Sequence, residues 1–325
     1  MINYILRRLG YGLLILIGVN LFTFILFFAL NTPDDMARMN IGGKRVSQDA
    51  IEKWKKERGY DKPLLWNTAK PGVEQATDTI FFERSVQLFA LDFGSSDSGR
   101  DIGYELRKRM WPSLALALPT FLLGTFVVIV FALLMVFFRS TYLEFWGFTL
   151  AVLLLSISSL FYILLGQFLF SKVLKLVPIS GFSGGMDAFV FLALPVAIGL
   201  VSRLGAEAIL FRTLFLEEVG KDYVRTARSK GLSEPRVLFG HVLRNALLPI
   251  LTSTVAVLPL LFMGALIMES FFGIPGLGSY TIDAINAQDF AVVRAMVFVG
   301  SVLYIIGLIL TDISYTIADP RIRLG

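Results

Sequence analysis

PSLALALPTFLLGTFVVIVFALLMVFF, residues 112–138, contains no charged side chain and only three hydroxyls. About 20 apolar residues, each rising about 1.5 Å, cross the hydrocarbon of a bilayer as a helix. A backbone with no water to bond can cross it only as a helix or a closed barrel. Barrel strands are shorter and alternate in polarity, so this stretch predicts a transmembrane helix. Working outward, five more segments meet the same test: 9–30, 145–170, 188–215, 246–268 and 290–317. Pro119, Gly124, Pro195, Gly199, Pro259 and Gly264 fall inside them, as closely packed membrane helices tolerate. The expected fold is an all-α integral membrane protein of six transmembrane helices.

Composition agrees. Of 325 residues, 55% are hydrophobic and only 17% charged, with 29 Phe, which is not the balance of a soluble domain. The absence of cysteine excludes disulfides, thiolate metal sites and cysteine nucleophiles. One histidine, His241, cannot build a multi-histidine metal centre and leaves little scope for histidine acid–base chemistry. The net charge of +5 is not a nucleic-acid stripe, because the basic residues cluster at the ends of apolar segments. Arg7 and Arg8 precede the first segment as in a secretory leader. That segment outruns the roughly 7–15 apolar residues of a leader, and no small-x-small site follows before Asn31, so it reads as a retained helix.

The short loops set orientation. Arg7, Arg8, Arg139, Arg321 and Arg323 share a side with the basic segment 221–244, while the opposite loops carry only Lys172, Lys175 and Asp187, and Asp283 and Asp289. The positive-inside rule then places both termini in the cytoplasm. Three regions follow: an N-terminal transmembrane helix (1–30), a large external, periplasmic insert (31–110) and a five-helix core (111–325) with a cytoplasmic loop at 217–245. In the insert, SQDAIEKWKK (47–56) reads as an amphipathic helix capped by Ser47, and the aromatics of 81–91 suit packing against the membrane helices.

The cytoplasmic loop, EEVGKDYVRTARSKGLSEPRVLFGHVLRNALLP (217–249), has internal order. Residues 222–230 read as a short helix with Arg228 and Lys230 in its last turn, where cations are favourable. Gly231 stands where a left-handed residue ends a helix. Ser233 then caps a second helix, with Glu234 and Pro235 in its first turn. Ala227 is small enough for a partner surface to approach, and Arg225 and Arg228 suit acidic groups on it. The plainer alternative is a basic loop that only fixes topology.

This loop resembles the coupling loop of binding-protein-dependent ABC importers, specifically the dipeptide/oligopeptide/nickel permease family. The generic E-A-A-x-x-x-G positions hold Arg225, Thr226, Ala227 and Gly231. Arg in place of Glu, and the long run from Gly231 to Pro249, look like the peptide-type subgroup, whose loop reads Y/F-x-R-T-A-R-x-K-G-L. The preceding FLEEVGKDYV is similar to permeases of microcin C and oligopeptide uptake. INYILRR (2–8), DFG (92–94), MESFFGIPGLG (268–278) and ADPRIR (318–323) resemble family motifs in the same order. The resemblance implies a type I importer permease of the bacterial inner membrane, with Arg225, Thr226, Ala227, Arg228, Lys230, Gly231 and Leu232 coupling it to ATPases. It also implies a second homologous permease, two ATPase subunits or domains, and an extracytoplasmic binding protein delivering peptides or similar small solutes. ATP and Mg would sit on the ATPases, since no G-x-x-x-x-G-K-[ST] occurs here and Gly42-Gly43-Lys44-Arg45 lacks its spacing.

Two further sets stand out. Arg203 and Glu207, four apart in the fourth segment, share a helix face. Intramembrane charges are costly, at about 2.5–3.5 kcal/mol on insertion scales, so they face water, protein or each other. They read either as lining of the solute path or as a neutralised structural pair. Glu269, Gly273, Pro275, Gly276 and Gly278 read as an external gate or loop, or as a tight re-entry turn. The competing class is an ATP-independent secondary transporter or channel, for which paired repeats and broken helices are expected; the sequence displays neither. An enzyme is disfavoured, since no metal set or nucleophile–base pair is present.

Overall fold

The computed structural model describes residues 2–42 and 46–318. Gly43, Lys44 and Arg45, and the end of ADPRIR with Arg321 and Arg323, lie outside the described residues. Along the chain run α1 (Ile2–Leu30), α2 (Pro33–Ile41), α3 (Gln48–Arg58), α4 (Glu74–Thr77), α5 (Ile102–Phe137), α6 (Tyr142–Ser156) and α7 (Ser159–Gly166). They are followed by α8 (Ala188–Val219), α9 (Asp222–Ser229), α10 (Glu234–Val237), α11 (Leu243–Val255), α12 (Leu266–Phe272), α13 (Leu277–Asn286) and α14 (Phe290–Ala318). Among the described residues there is no strand, only an isolated bridge between Ser95 and Asp101.

Among the described residues, four helices are long and apolar enough to cross a membrane: α1, α5, α8 and α14. Two more candidates are bent pairs, α6 with Ser159–Val173 at 92° and Leu258–Phe272 with α13 at 68°, which would bring the total to six. Broken helices, absent from the sequence reading, are thus present twice. The segment 145–170 is not one rod, because Ile157 and Ser158 turn extended between α6 and α7. The segment 246–268 breaks too. Pro259 heads a 3₁₀ run, Leu258–Met263, and Gly264 follows at φ 76° and ψ 174°, a backbone that side-chain-bearing residues avoid.

The chain forms two compact units. The first holds residues up to Arg109 with Tyr280–Ile309. Its core joins Phe24 and Phe28 of α1 to Met36, Ile51, Trp54, Tyr60 and Ile80. The Trp54 and Tyr60 rings stack at 5.4 Å. Ser47 caps α3 as expected, its hydroxyl accepting from Ala50 N at 3.4 Å. Phe81 meets Phe24 edge-on at 5.0 Å and Phe89 meets Phe298 at 5.2 Å, so segment 81–91 packs on membrane helices.

The second unit holds Met110–Ser279 and the chain from Leu310. In lipid no hydrophobic drive pulls helices together, so close backbone approach at small residues matters. At Gly205 of α8, an added Cβ would lie 2.6 Å from Leu155 N and 2.7 Å from Ala151 O of α6. An ion pair between Arg212 of α8 and Glu144 of α6 ties the same two helices. Gly205→Val should therefore force the helices apart and destabilise by about 1–3 kcal/mol. A lower midpoint for thermal unfolding of the detergent-purified protein is the expected result, and an unchanged midpoint would refute this contact.

Candidate coupling face and transport cavity

The loop between α8 and α11 folds back onto its own unit. Val224 and Ala227 of α9 and Val237 and Leu238 beyond it are buried with Val128, Leu133, Phe211 and Phe215 in one core. Gly231 takes φ 76°, the left-handed turn expected of it, with its N–H on Arg228 O at 2.9 Å. Ser233 occupies the cap position of α10 in extended conformation, but its side chain makes no capping bond. From α10 the chain runs through a π-helical turn, Leu238–Val242, directly into α11. His241 lies in that turn, half-buried.

Two details differ from the sequence reading. Ala227 faces inward and is only 5% exposed, so its small size serves the chain's own packing. Arg228 is not held out for a partner: its guanidinium grips both oxygens of Glu234, Nε at 3.1 Å and Nη2 at 2.7 Å. That bond, ahead of the opposing burial, holds the Glu234 carboxyl below the ordinary range. Its stabilisation is present above the unfolded-state pKa and fades as pH falls through the folded one. Tyr223 donates to Glu218 at 2.6 Å; burial first, then this bond, pushes its hydroxyl to about 12, so it stays neutral. The outward face is Asp222, Arg225, Thr226 and Ser229, spaced as one helical stripe and continued by exposed Lys230 and Gly231, with Leu232 half-buried behind them.

Arg203 and Glu207 pair with each other on α8, at 2.8 and 3.1 Å. Arg203 also lies over the Phe121 ring, 5.4 Å from its centre. Both line a cavity of about 350 Å³, otherwise walled by side chains such as Leu116, Leu260, Leu261 and Met268. The charges neutralise each other and border a cavity.

Glu269 is fully buried, so it is not an exposed gate residue. Its Oε1 accepts from Ala265 N at 3.1 Å and its Oε2 from Ser279 N at 3.0 Å. Ser113 of α5 and Gly278 N bond the same carboxylate, and Ser113 accepts from Leu277 N at 2.8 Å. One carboxylate thereby serves the free N–H groups at the starts of α12 and α13, where helix dipoles favour negative charge. A Cβ on Gly278 would stand 2.9 Å from Oε2 and 2.8 Å from Leu266 N, and one on Gly264 or Gly276 would overlap Glu269 and Ser113. Gly273 ends α12 at φ 64°, while Pro275 is exposed. Gly264, Gly276 and Gly278 pack closely around this buried carboxyl group. Sequence reasoning missed Ser113, the Glu144–Arg212 pair and the bonds of Glu269; polar residues inside apolar segments were the available signal.

Residues 109–324 match the profile of the binding-protein-dependent transport system inner membrane component. The chain belongs to that family. Residues 1–81 match the N-terminal part of such permeases. The chain is similar to a peptide transport system permease protein of Brucella abortus (strain 2308), 32% identical with 98% of each chain covered. It is also similar to the dipeptide transport system permease protein of Bacillus subtilis (strain 168), 32% identical over 75% of this chain and 78% of the other. A third relative is the glutathione transport system permease protein of Salmonella paratyphi A, 28% identical with 99% of each covered. The molecule is therefore a mostly helical, multi-pass inner-membrane permease of the ABC importer class, from a family of transport permeases and not of enzymes.

Two consequences are measurable. Ala227→Asp should bury an unpaired charge and lower the yield of folded permease, by about 3 kcal/mol or more of stability. Glu269→Ala leaves several buried donors without acceptor, each costing about 1–3 kcal/mol, and should sharply reduce the thermal midpoint. Normal midpoints for both variants would contradict the packing described.

Proposed function

We propose that this permease imports peptides or similar small solutes, driven by ATP hydrolysis on partner subunits that dock against the outward face of α9. The observation that carries this is the split character of α9. Val224 and Ala227 anchor it in the chain's own core, while Arg225, Thr226, Ser229 and Lys230 form an exposed polar stripe. A helix held rigidly from one side and bare on the other can transmit a push from a docked ATPase into α8 and α11. Charge asymmetry of the loops supports a cytoplasmic face for α9, cytoplasmic termini and an external position for 31–110. The partners are a second homologous permease, two ATPase subunits or domains that hold ATP and Mg, and an extracytoplasmic binding protein. This chain holds no cofactor in that scheme. The peptide class is carried by the names of the relatives. Solute would pass the cavity beside Arg203 and Glu207, where a peptide carboxylate or ammonium can exchange with the pair.

Two experiments test this. Arg225→Glu reverses an exposed charge whose contact within the chain is a long, solvent-screened pair with Asp222 at 3.5 Å. The expected outcome is normal yield and a loss of about tenfold or more in binding-protein-stimulated ATP hydrolysis; unimpaired stimulation and uptake would reject the coupling face. The chain has no native cysteine, so Ser98→Cys should react with an impermeant thiol reagent added outside spheroplasts and Ser229→Cys should not. The opposite labelling would overturn the orientation.

A further inference from the structure

In the first unit, the loop at 96–100 and one face of α13 enclose a recess of about 330 Å³. Tyr280, Asp283 and Ala284 of α13, and Ala287 just past its end, line it, and the two alanines leave room there. Arg100 and Arg109 also line it.

Most of the nearby charge is already committed. Asp289 accepts from Asp97 N at 2.9 Å and Val292 N at 3.2 Å, so it holds the loop and begins α14. Asp97 lies 3.7 Å from Arg58 and accepts from Asn40 at 3.2 Å. Arg109 is bound to Glu105 at 2.8 Å and lies over the Tyr280 ring at 4.7 Å. Three groups keep spare capacity. Asp283 is exposed, and its carboxylate makes no hydrogen bond or ion pair among the described residues, while its backbone carbonyl accepts from Ala287 N at 2.8 Å. Arg100 uses Nε on Ser98 at 3.2 Å, and its two Nη groups have no acceptor among the described residues. The Tyr280 hydroxyl is buried without a partner, on a residue only 8% exposed.

A recess that offers one free carboxylate, one free guanidinium end and one orphaned hydroxyl suits neither a simple anion nor a simple cation. We propose that it binds a small zwitterion, an amino acid or short peptide, through both termini. The ammonium pairs with Asp283. The carboxylate takes the Arg100 guanidinium and, as the side chains part, gives the Tyr280 hydroxyl its first acceptor. The small Ala284 and Ala287 select for short side chains. This is a second solute site, separate from the cavity beside Arg203 and Glu207, and it rests on the peptide-import reading only for the choice of probe.

The test is equilibrium binding of radiolabelled dialanine to the purified transporter complex in lipid nanodiscs, with the binding protein omitted. Saturable binding is expected, with N-acetyl-dialanine and dialanine amide each competing at least about tenfold more weakly, because each lacks one charge. Asp283→Asn and Arg100→Gln should each weaken binding about tenfold or more. Tyr280→Phe removes only an unbonded hydroxyl, so complex yield should be unchanged while affinity falls severalfold. No saturable binding at millimolar dialanine would overturn the proposal. So would binding indifferent to Asp283→Asn and Arg100→Gln, including binding abolished only by Arg203→Leu with Glu207→Leu. Binding-protein-stimulated ATP hydrolysis, measured on the same preparations, reports separately on the import reading.

Discussion

A peptide N–H inside hydrocarbon has no water to fall back on, and every break in a spanning helix leaves several of them free. The fifth apolar region breaks at Pro259 and Gly264 and restarts twice, at α12 and α13. Glu269 and Ser113 take up the donors at both restarts, and Gly264, Gly276 and Gly278 have no side chain because the carboxylate fills that space. The bend, the turn that follows it and the wall of the cavity at Gly264, Ala265 and Met268 all hang on this arrangement. A buried carboxylate is ordinarily a liability; surrounded by helix starts it becomes the cheapest way to end one helix and begin another.

The same economy governs the loop between α8 and α11. α9 carries one apolar stripe, Val224 and Ala227, and it is consumed by the core of the second unit. The Arg228–Glu234 pair and Gly231 fix the angle at which α10 leaves. What remains outside is polar and short, a surface suited to be pushed and released, since exposed ion pairs contribute little to binding on their own. Rigid attachment on one side and a weakly adhesive face on the other are what a mechanical link between an ATPase cycle and a membrane path requires.

Much of the architecture was legible in the sequence because apolar length is a strong signal: the spans in α1, α5, α8 and α14 were found, as were the Ser47 cap and the Gly231 turn. The breaks in the third and fifth segments were not, since hydropathy is blind to a backbone that turns among apolar side chains. Ile157–Ser158 reads as membrane helix until the bend is seen. Motif reading singled out the loop at 217–249 but not its faces. The burial of Ala227 and the enclosure of Glu269 depend on packing partners outside their own motifs, Phe215 and Ser113, and the grip of Arg228 depends on how the turn at Gly231 brings Glu234 back to it. Spacing does not encode those partners.

The central claim is that α9 meets an ATPase with its Arg225–Thr226–Ser229 face and not with Ala227. Cysteine-directed cross-linking in the assembled transporter tests it most directly, since the native chain contributes no competing thiol. Arg225→Cys and Ser229→Cys should each cross-link to an ATPase subunit through a short bifunctional reagent, in a manner altered by ATP, while Ala227→Cys should remain unreactive in folded protein. Cross-linking from Ala227→Cys, or none from the other two in transporters that still take up solute, would contradict the account.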